Sequence, residues 1–390
     1  MTTDPGPSAG FQAVALGAAV ALAAFASGAQ ASDYNVIHDF DGTDGNQPIA
    51  GLILDGAGNL YGTAETGGVN NDGVIFKMSP NGTETVLYSF TGSADGAYPD
   101  GSVSLDEKKG DLYGTASAGG ASGNGIIYKL SKRGKLTALH NFDGAGDGGY
   151  PTGPLVRDKL GDLYGVTFVG GADSYGTVYE LAANGSFAVL HTFTGGGDGE
   201  TPRSGLIRDG AGNLYGVAEG GGGGNCNFGC GVIYKIAPDG TFTTLYSFAD
   251  SADGFYPIGG LYRDDAGDLY GTTLFGGAAG YGTAYSLAAN GTHTVLYSFT
   301  GGDDGAYPEG TLIRNRSGRI YGTASLGGAY QDGTIFKIAP TNKENVVHTF
   351  DGSDGTTPAV GLTKGKLGVF YGVTCCGGTN GNGVVFSVTK

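Results

Sequence analysis

The chain is 390 residues long, with 80 Gly, 13 Pro, 39% hydrophobic residues and a formal net charge of −16 from 21 basic and 37 acidic side chains. Such a glycine load excludes a long-helix protein, because each interior helical Gly costs roughly 1 kcal/mol, and its spacing excludes collagen. The 11% aromatic content excludes a solvated coil, and the acidic balance excludes nucleic-acid binding, which needs clustered Lys and Arg.

In chain order, the first feature is the apolar run FQAVALGAAVALAAFA at 11–26, followed by Ala29-Gln30-Ala31. A short apolar stretch before an A-x-A pattern reads as an export signal over 1–31, cleaved after Ala31. No Lys or Arg precedes the run, the first Lys being Lys77, and an uncleaved anchor is the alternative. The run is short for a span of about 20 residues, so no stable membrane span is expected after cleavage. The mature chain, 32–390, is expected to be a single secreted or periplasmic domain and a monomer.

From Tyr34 onward the sequence repeats. An L/I/F-Y-G triplet places Tyr61, Tyr113, Tyr164, Tyr215, Tyr270, Tyr321 and Tyr371 at steps of 52, 51, 51, 55, 51 and 50 residues. Each unit reads as four short strands, of which TVLYSF, GLILD, NLYGTA and GVIFKM are examples. A strand ending in Phe precedes Asp-Gly-x-x-Pro in every copy, from Phe40 to Phe350, and a Gly-Gly pair follows each Tyr. Seven four-strand units of about 51 residues select an all-β, seven-bladed β-propeller with antiparallel blades over a sandwich or solenoid. Which strand lies innermost, and whether the two chain ends share a blade, stays open.

Loop lengths orient the molecule. Alternate connections of an antiparallel meander lie on the same side, so the long Asp-Gly-x-x-Pro and Gly-Gly loops share one face and the tight turns at 55–59 and 80–83 share the other. Long loops over a rigid scaffold commonly carry binding. Two positions on that face vary between copies. After the Pro the chain reads Ile49, Asp100, Thr152, Arg203, Ile258, Glu309 and Ala359; four after the Tyr it reads Glu65, Ser117, Phe168, Glu219, Leu274, Ser325 and Cys375. Glu65, Asp100, Arg203, Glu219 and Glu309 are therefore the ligand-binding candidates, against the reading of surface drift.

Other residue sets read as scaffold. The Asp of Asp-Gly-x-x-Pro could bind Ca²⁺, but the twelfth-position Glu of a Ca²⁺ hand is missing, and a side-chain-capped turn is favoured. His38, His140, His191 and His348 alternate with Tyr88, Tyr246 and Tyr297 at one position, the pattern of a packed ring with a hydrogen-bonding tip. Arg157, Arg208, Arg263 and Arg314 share another position and read as structural ion pairs. Cys226, Cys230, Cys375 and Cys376 are disulfide candidates; two local bridges are one of three pairings. Their spacing is not that of a zinc site. No metal or other cofactor is expected, no H-E-x-x-H motif is present, and the one G-x-S-x-G string, Gly6–Gly10, falls within the expected export signal and supplies no catalytic residue.

The units, such as LYSFTGSADGAYPDGSVSLDEKKGDLYGTASAGGASGNGIIYKL at 87–130, resemble the GloVer-type tandem repeats of exported bacterial proteins. The resemblance covers about 34–390 and implies export and a propeller-like fold. That family is associated with a choice of C-terminal anchors, none of which is visible here. It brings no established activity. The expectation is a secreted, non-catalytic propeller that binds a glycan or protein on its long-loop face; the alternative is a polysaccharide lyase or glycoside hydrolase.

Overall fold

Short strands, the innermost of only two residues in most blades and the others of about five or six, separated by turn-forming glycines, build seven four-stranded antiparallel sheets in the computed structural model, which describes residues 33–249 and 252–389. The export signal expected over 1–31 lies outside the described residues. The first blade is β2 (Ile53–Leu54), β3 (Leu60–Ala64), β4 (Val74–Met78) and β5 (Glu84–Ser89), hydrogen-bonded in that order. Blades 2 to 6 repeat the pattern over 104–141, 149–192, 207–247, 262–298 and 313–349. The architecture is a seven-bladed β-propeller.

The phase left open by the sequence is now fixed. The short strand after Asp-Gly-x-x-Pro is innermost: it ends the hydrogen-bonded order of each blade, and the residues leading into it from all seven copies line one central cavity. The Phe-ending strand is outermost. Blade 7 takes β26 (Thr363–Lys364), β27 (Val369–Thr374) and β28 (Val384–Thr389) from the end of the described chain, and β1 (Tyr34–Asp39) as its outer strand. Tyr34 pairs with Val388 and Asp39 with Val384, so the two ends of the repeat array close the ring through one ladder.

The core lies between blades. One cluster joins Tyr164, Val166 and Val178 of blade 3 to Leu214, Val232 and Tyr234 of blade 4; another joins Val373 and Val385 of blade 7 to Leu60, Val74 and Phe76 of blade 1. Faces buried on both sides explain strands that are apolar on both sides. The Phe closing each outer strand is fully buried and reaches into the next blade, Phe40 against Phe76 and Phe90 against Tyr128. Glycine is required where backbones or rings crowd. A Cβ on Gly153 would lie 2.4 Å from Gly205 N in the neighbouring inner strand, and one on Gly114 of an L-Y-G triplet 2.4 Å from the Tyr128 hydroxyl.

Turn aspartates and outer-strand rings form one device. A register irregularity in each outer strand, such as that opposite Ile75 and Phe76, re-aims the following ring. His38, His140, His191 and His348 then donate to Asp44, Asp147, Asp198 and Asp354 at 2.8–3.0 Å, as Tyr88 and Tyr297 do to Asp95 and Asp304 at 2.8 and 2.9 Å. The same carboxylates cap their own turns, Asp95 accepting from Thr91 N and Asp304 from Thr300 N. Tyr88→Phe is expected to destabilise the protein by about 1–2 kcal/mol through loss of this bond. Thermal unfolding of the purified variant measures it, and an unchanged midpoint would contradict the assignment.

The arginines join adjacent blades on the tight-turn face. Arg157, Arg208 and Arg314 pair with Asp106, Asp158 and Asp264 of the preceding blade at 3.0, 3.7 and 3.1 Å. Their guanidinium groups, and that of Arg263, sit over the L-Y-G tyrosines Tyr113, Tyr164, Tyr270 and Tyr215. The carboxylates of these pairs are largely buried and the guanidinium groups a third exposed or less. Each pair ties one blade to the blade before it.

Candidate functional site

The residue before each Pro sets the geometry of the mouth. Gln47, Tyr98, Tyr150, Thr201, Tyr256, Tyr307 and Thr357 all have φ between 52° and 58°. Side chains other than Gly or Asn avoid this left-handed region, which costs about 1–2 kcal/mol per residue. Hydrogen bonds on both sides hold it. Tyr98 N donates to Asp72 O of the preceding blade at 3.0 Å, while Ser117 N donates to Tyr98 O at 3.0 Å. The Thr201 and Tyr307 carbonyls accept in the same way from Glu219 N and Ser325 N. The strained residue is thus tied to the fourth residue after the Tyr of its own blade, which in blades 4 and 6 also touches the residue that follows the Pro, Glu219 with Arg203 and Ser325 with Glu309.

Three side chains per blade therefore meet on the long-loop face, and the seven triplets differ. Blade 1 offers Gln47, Ile49 and Glu65; blade 2 Tyr98, Asp100 and Ser117; blade 3 Tyr150, Thr152 and Phe168. Blade 4 offers Thr201, Arg203 and Glu219, blade 6 Tyr307, Glu309 and Ser325, while Ile258 with Leu274 and Ala359 with Cys375 make blades 5 and 7 mainly apolar. Part of this set, chiefly the residues after the Pro, lines a cavity of about 760 Å³ at the head of the central channel, with Glu65, Asp100, Arg203 and Glu309 in its wall beside Tyr150 and Phe168. Four of the five candidates expected from the sequence thus share one cavity. Glu219 stands behind the wall and pairs with Arg203 at 3.6 Å.

Burial and like charge shape the electrostatics. Desolvation, then the neighbouring Glu65 carboxylate, pushes Asp100 up to about 7, with Arg203 acting in the opposite direction. Asp100 Oδ1 is buried without a hydrogen-bond partner. Desolvation also raises Glu65, Glu219 and Glu309, the last moderated by a 2.9 Å bond from Ser325 Oγ. Arg203 lies over the Phe168 ring at 5.4 Å and is the only cation among the described residues lining the cavity. Such a site offers carboxyl groups that both accept and donate hydrogen bonds, one planar cationic fork, and aromatic faces.

The cysteines form two local bridges, Cys226–Cys230 and Cys375–Cys376. The first closes the loop that lengthens one repeat step to 55 residues and leaves Phe228 at its exposed tip. The second sits at the mouth position of blade 7, where Cys375 N donates to Thr357 O at 3.2 Å. Among the described residues no group of three or more His, Cys, Asp or Glu side chains is arranged to hold a metal ion, and no helix is long and apolar enough to cross a membrane. The rim residues before the Pro were not anticipated from the sequence. Their signal was four Tyr among seven positions preceding Pro.

Solved structures with the same fold are distant in sequence. The extracellular domain of a protein described as a hybrid two-component system from B. thetaiotaomicron is 14% identical with a TM-score of 0.59, over 92% of this chain and 42% of that one. Puromycin hydrolase is 12% identical with a TM-score of 0.56, over 85% of this chain and 50% of the other. A protein described as a 6-phosphogluconolactonase from Bacteroides fragilis NCTC 9343 is 18% identical with a TM-score of 0.52, over 80% and 86%. The chain spans half or less of the first two, and at these identities the likeness concerns the fold alone. No curated protein matches. A family model for the Gloeobacter/Verrucomicrobia repeat matches residues 23–228 and 223–390, and the chain belongs to that repeat family.

Proposed function

We propose that this protein is an exported, non-catalytic propeller that takes the end of a glycan into the channel mouth on its long-loop face. The observation that carries this reading is convergence: charged residues that break the seven-fold repeat in blades 1, 2, 4 and 6 meet in one cavity of about 760 Å³. A concave site of a few hundred Å³ suits a small ligand or chain end. A protein partner calls instead for a surface of roughly 800 Å² on each side. Arg203 can offer paired donors to sugar oxygens, the carboxyl groups can bind hydroxyls, and Tyr150 and Phe168 supply faces for the apolar side of a pyranose ring. Two disulfides suit a secreted or periplasmic setting.

A second reading, a polysaccharide lyase or glycoside hydrolase, draws support from the same carboxyl groups, whose raised proton affinity is what general acid catalysis requires. A glycan array probed with the full chain, followed by product analysis of every bound glycan, separates the two. The binding reading expects retention without new reducing ends or unsaturated products. Product formation would favour the enzyme, and an array with no retained glycan would remove the glycan reading.

A further inference from the structure

The charges in the cavity are unevenly matched. Arg203 is engaged with Glu219 and lies over Phe168, so the cation stands on the blade 3–4 side. On the blade 1–2 side, Glu65 and Asp100 line the same wall; burial first and the Glu65 charge second raise the proton affinity of Asp100 with Arg203 offsetting this only in part, and Asp100 Oδ1 is buried and unpartnered. Leaving a carboxylate oxygen desolvated and unsatisfied costs free energy, and a cation placed beside both groups is the partner that would let both ionise. The flanking rings agree with this. Tyr98 and Tyr150, in blades 2 and 3, are held at the mouth with 38% and 46% of their surface exposed, and tyrosine faces attract cations. Tyr150 also lines the cavity wall.

We propose that the Glu65–Asp100 side of the cavity receives a protonated amine of the ligand, so that the saccharide recognised is an amino sugar. This rests on the glycan reading above. An acetylated nitrogen carries no charge and leaves the carboxyl pair unmatched, whereas a free amine offers three donors and a positive charge to two acceptors. Arg203 and the apolar walls of blades 5 and 7 are left for the sugar's hydroxyl groups and ring faces.

The test is calorimetric titration of the full chain, in slightly acidic buffer at physiological salt, with three tetrasaccharides: fully deacetylated chitin, fully acetylated chitin and cellulose. The amino tetramer is expected to bind at least about tenfold tighter than the other two. Asp100→Asn and Glu65→Gln are each expected to remove most of that preference, and an unchanged far-ultraviolet circular dichroism spectrum reports that the variants fold. Equal binding of all three tetramers would overturn the amine assignment and leave the glycan reading standing. A preference that survives in both variants would trace to general attraction by the acidic chain and would overturn it too. Spermine binding as tightly as the amino tetramer, and losing affinity in both variants, would support a cation site and remove the glycan reading. Failure of the amino tetramer to bind would overturn the proposal.

Discussion

Removal of residues 33–40 is expected to lower the stability of the propeller by well over 5 kcal/mol. This segment supplies β1, the outer strand of blade 7, and Phe40, which is fully buried against Phe76 of blade 1. Loss of one buried Phe alone costs about 3–5 kcal/mol. The deletion also strips the β1 ladder from β28, leaving an unpaired edge that invites aggregation. It should convert a single cooperative unfolding transition into an early, broad one in which blades 7 and 1 separate first. Differential scanning calorimetry, with hydrogen exchange to locate the loss, measures this. A synthetic peptide of the deleted residues added in trans should restore part of the transition by strand addition. An unchanged melting profile would contradict closure through this ladder.

Asp100→Asn is expected to act in the opposite direction and stabilise the protein at alkaline pH. In the folded chain, burial and Glu65 hold the Asp100 proton up to about pH 7, whereas in the unfolded chain the group ionises near its ordinary value of about 4. Between those values the folded state binds more protons than the unfolded one, so this group's contribution to stability falls as pH rises from about 4 to about 7. At pH 8 the loss is complete and amounts to at most about 4 kcal/mol, which an uncharged Asn avoids. Glu65 and Glu309 are shifted in the same direction and remain in both proteins, so the difference between variant and parent isolates Asp100. Urea unfolding at several pH values should show the variant gaining stability above about pH 7 and little below about pH 4. A variant less stable than the parent at pH 8 would show that the carboxylate is solvated or paired. Stability given up at this position is what a binding site built for an absent counter-charge predicts.

The repeat made the architecture legible. Seven Tyr-centred units specify seven blades because each unit buries its faces only against its neighbours, and loop length correctly put both long connections on one face. The roles of His and Tyr opposite Asp were also legible, since residue types that exchange at one position must share a property, here a ring carrying a donor. Phase was not legible. A period reads the same from any strand, so nothing in β1 announces that it joins β28 across the ring. The mouth was half legible: variation singled out Glu65, Asp100, Arg203 and Glu309, but not the rim. Local preference drives a residue before Pro towards extended conformations, and only the inter-blade bond to groups such as Asp72 O holds Tyr98 in the left-handed region. That bond spans a blade boundary and leaves no trace in local sequence. Burial of Asp100 is a property of the closed ring, invisible in its own repeat.

On the binding reading proposed above, the long-loop cavity, rather than the opposite face, receives the ligand. The most direct measurement compares Arg203→Ala, in the cavity wall, with Arg133→Ala, an exposed residue in a tight turn on the other side, using the glycan most strongly retained by the parent protein. Both replace one exposed or half-exposed cation with Ala and change the net charge equally. Loss of charge-assisted hydrogen bonds worth about 1.5–3 kcal/mol predicts a fall in affinity of about ten- to a hundredfold for Arg203→Ala and no change for Arg133→Ala. Equal affinities for both variants, or a loss confined to Arg133→Ala, would contradict the account.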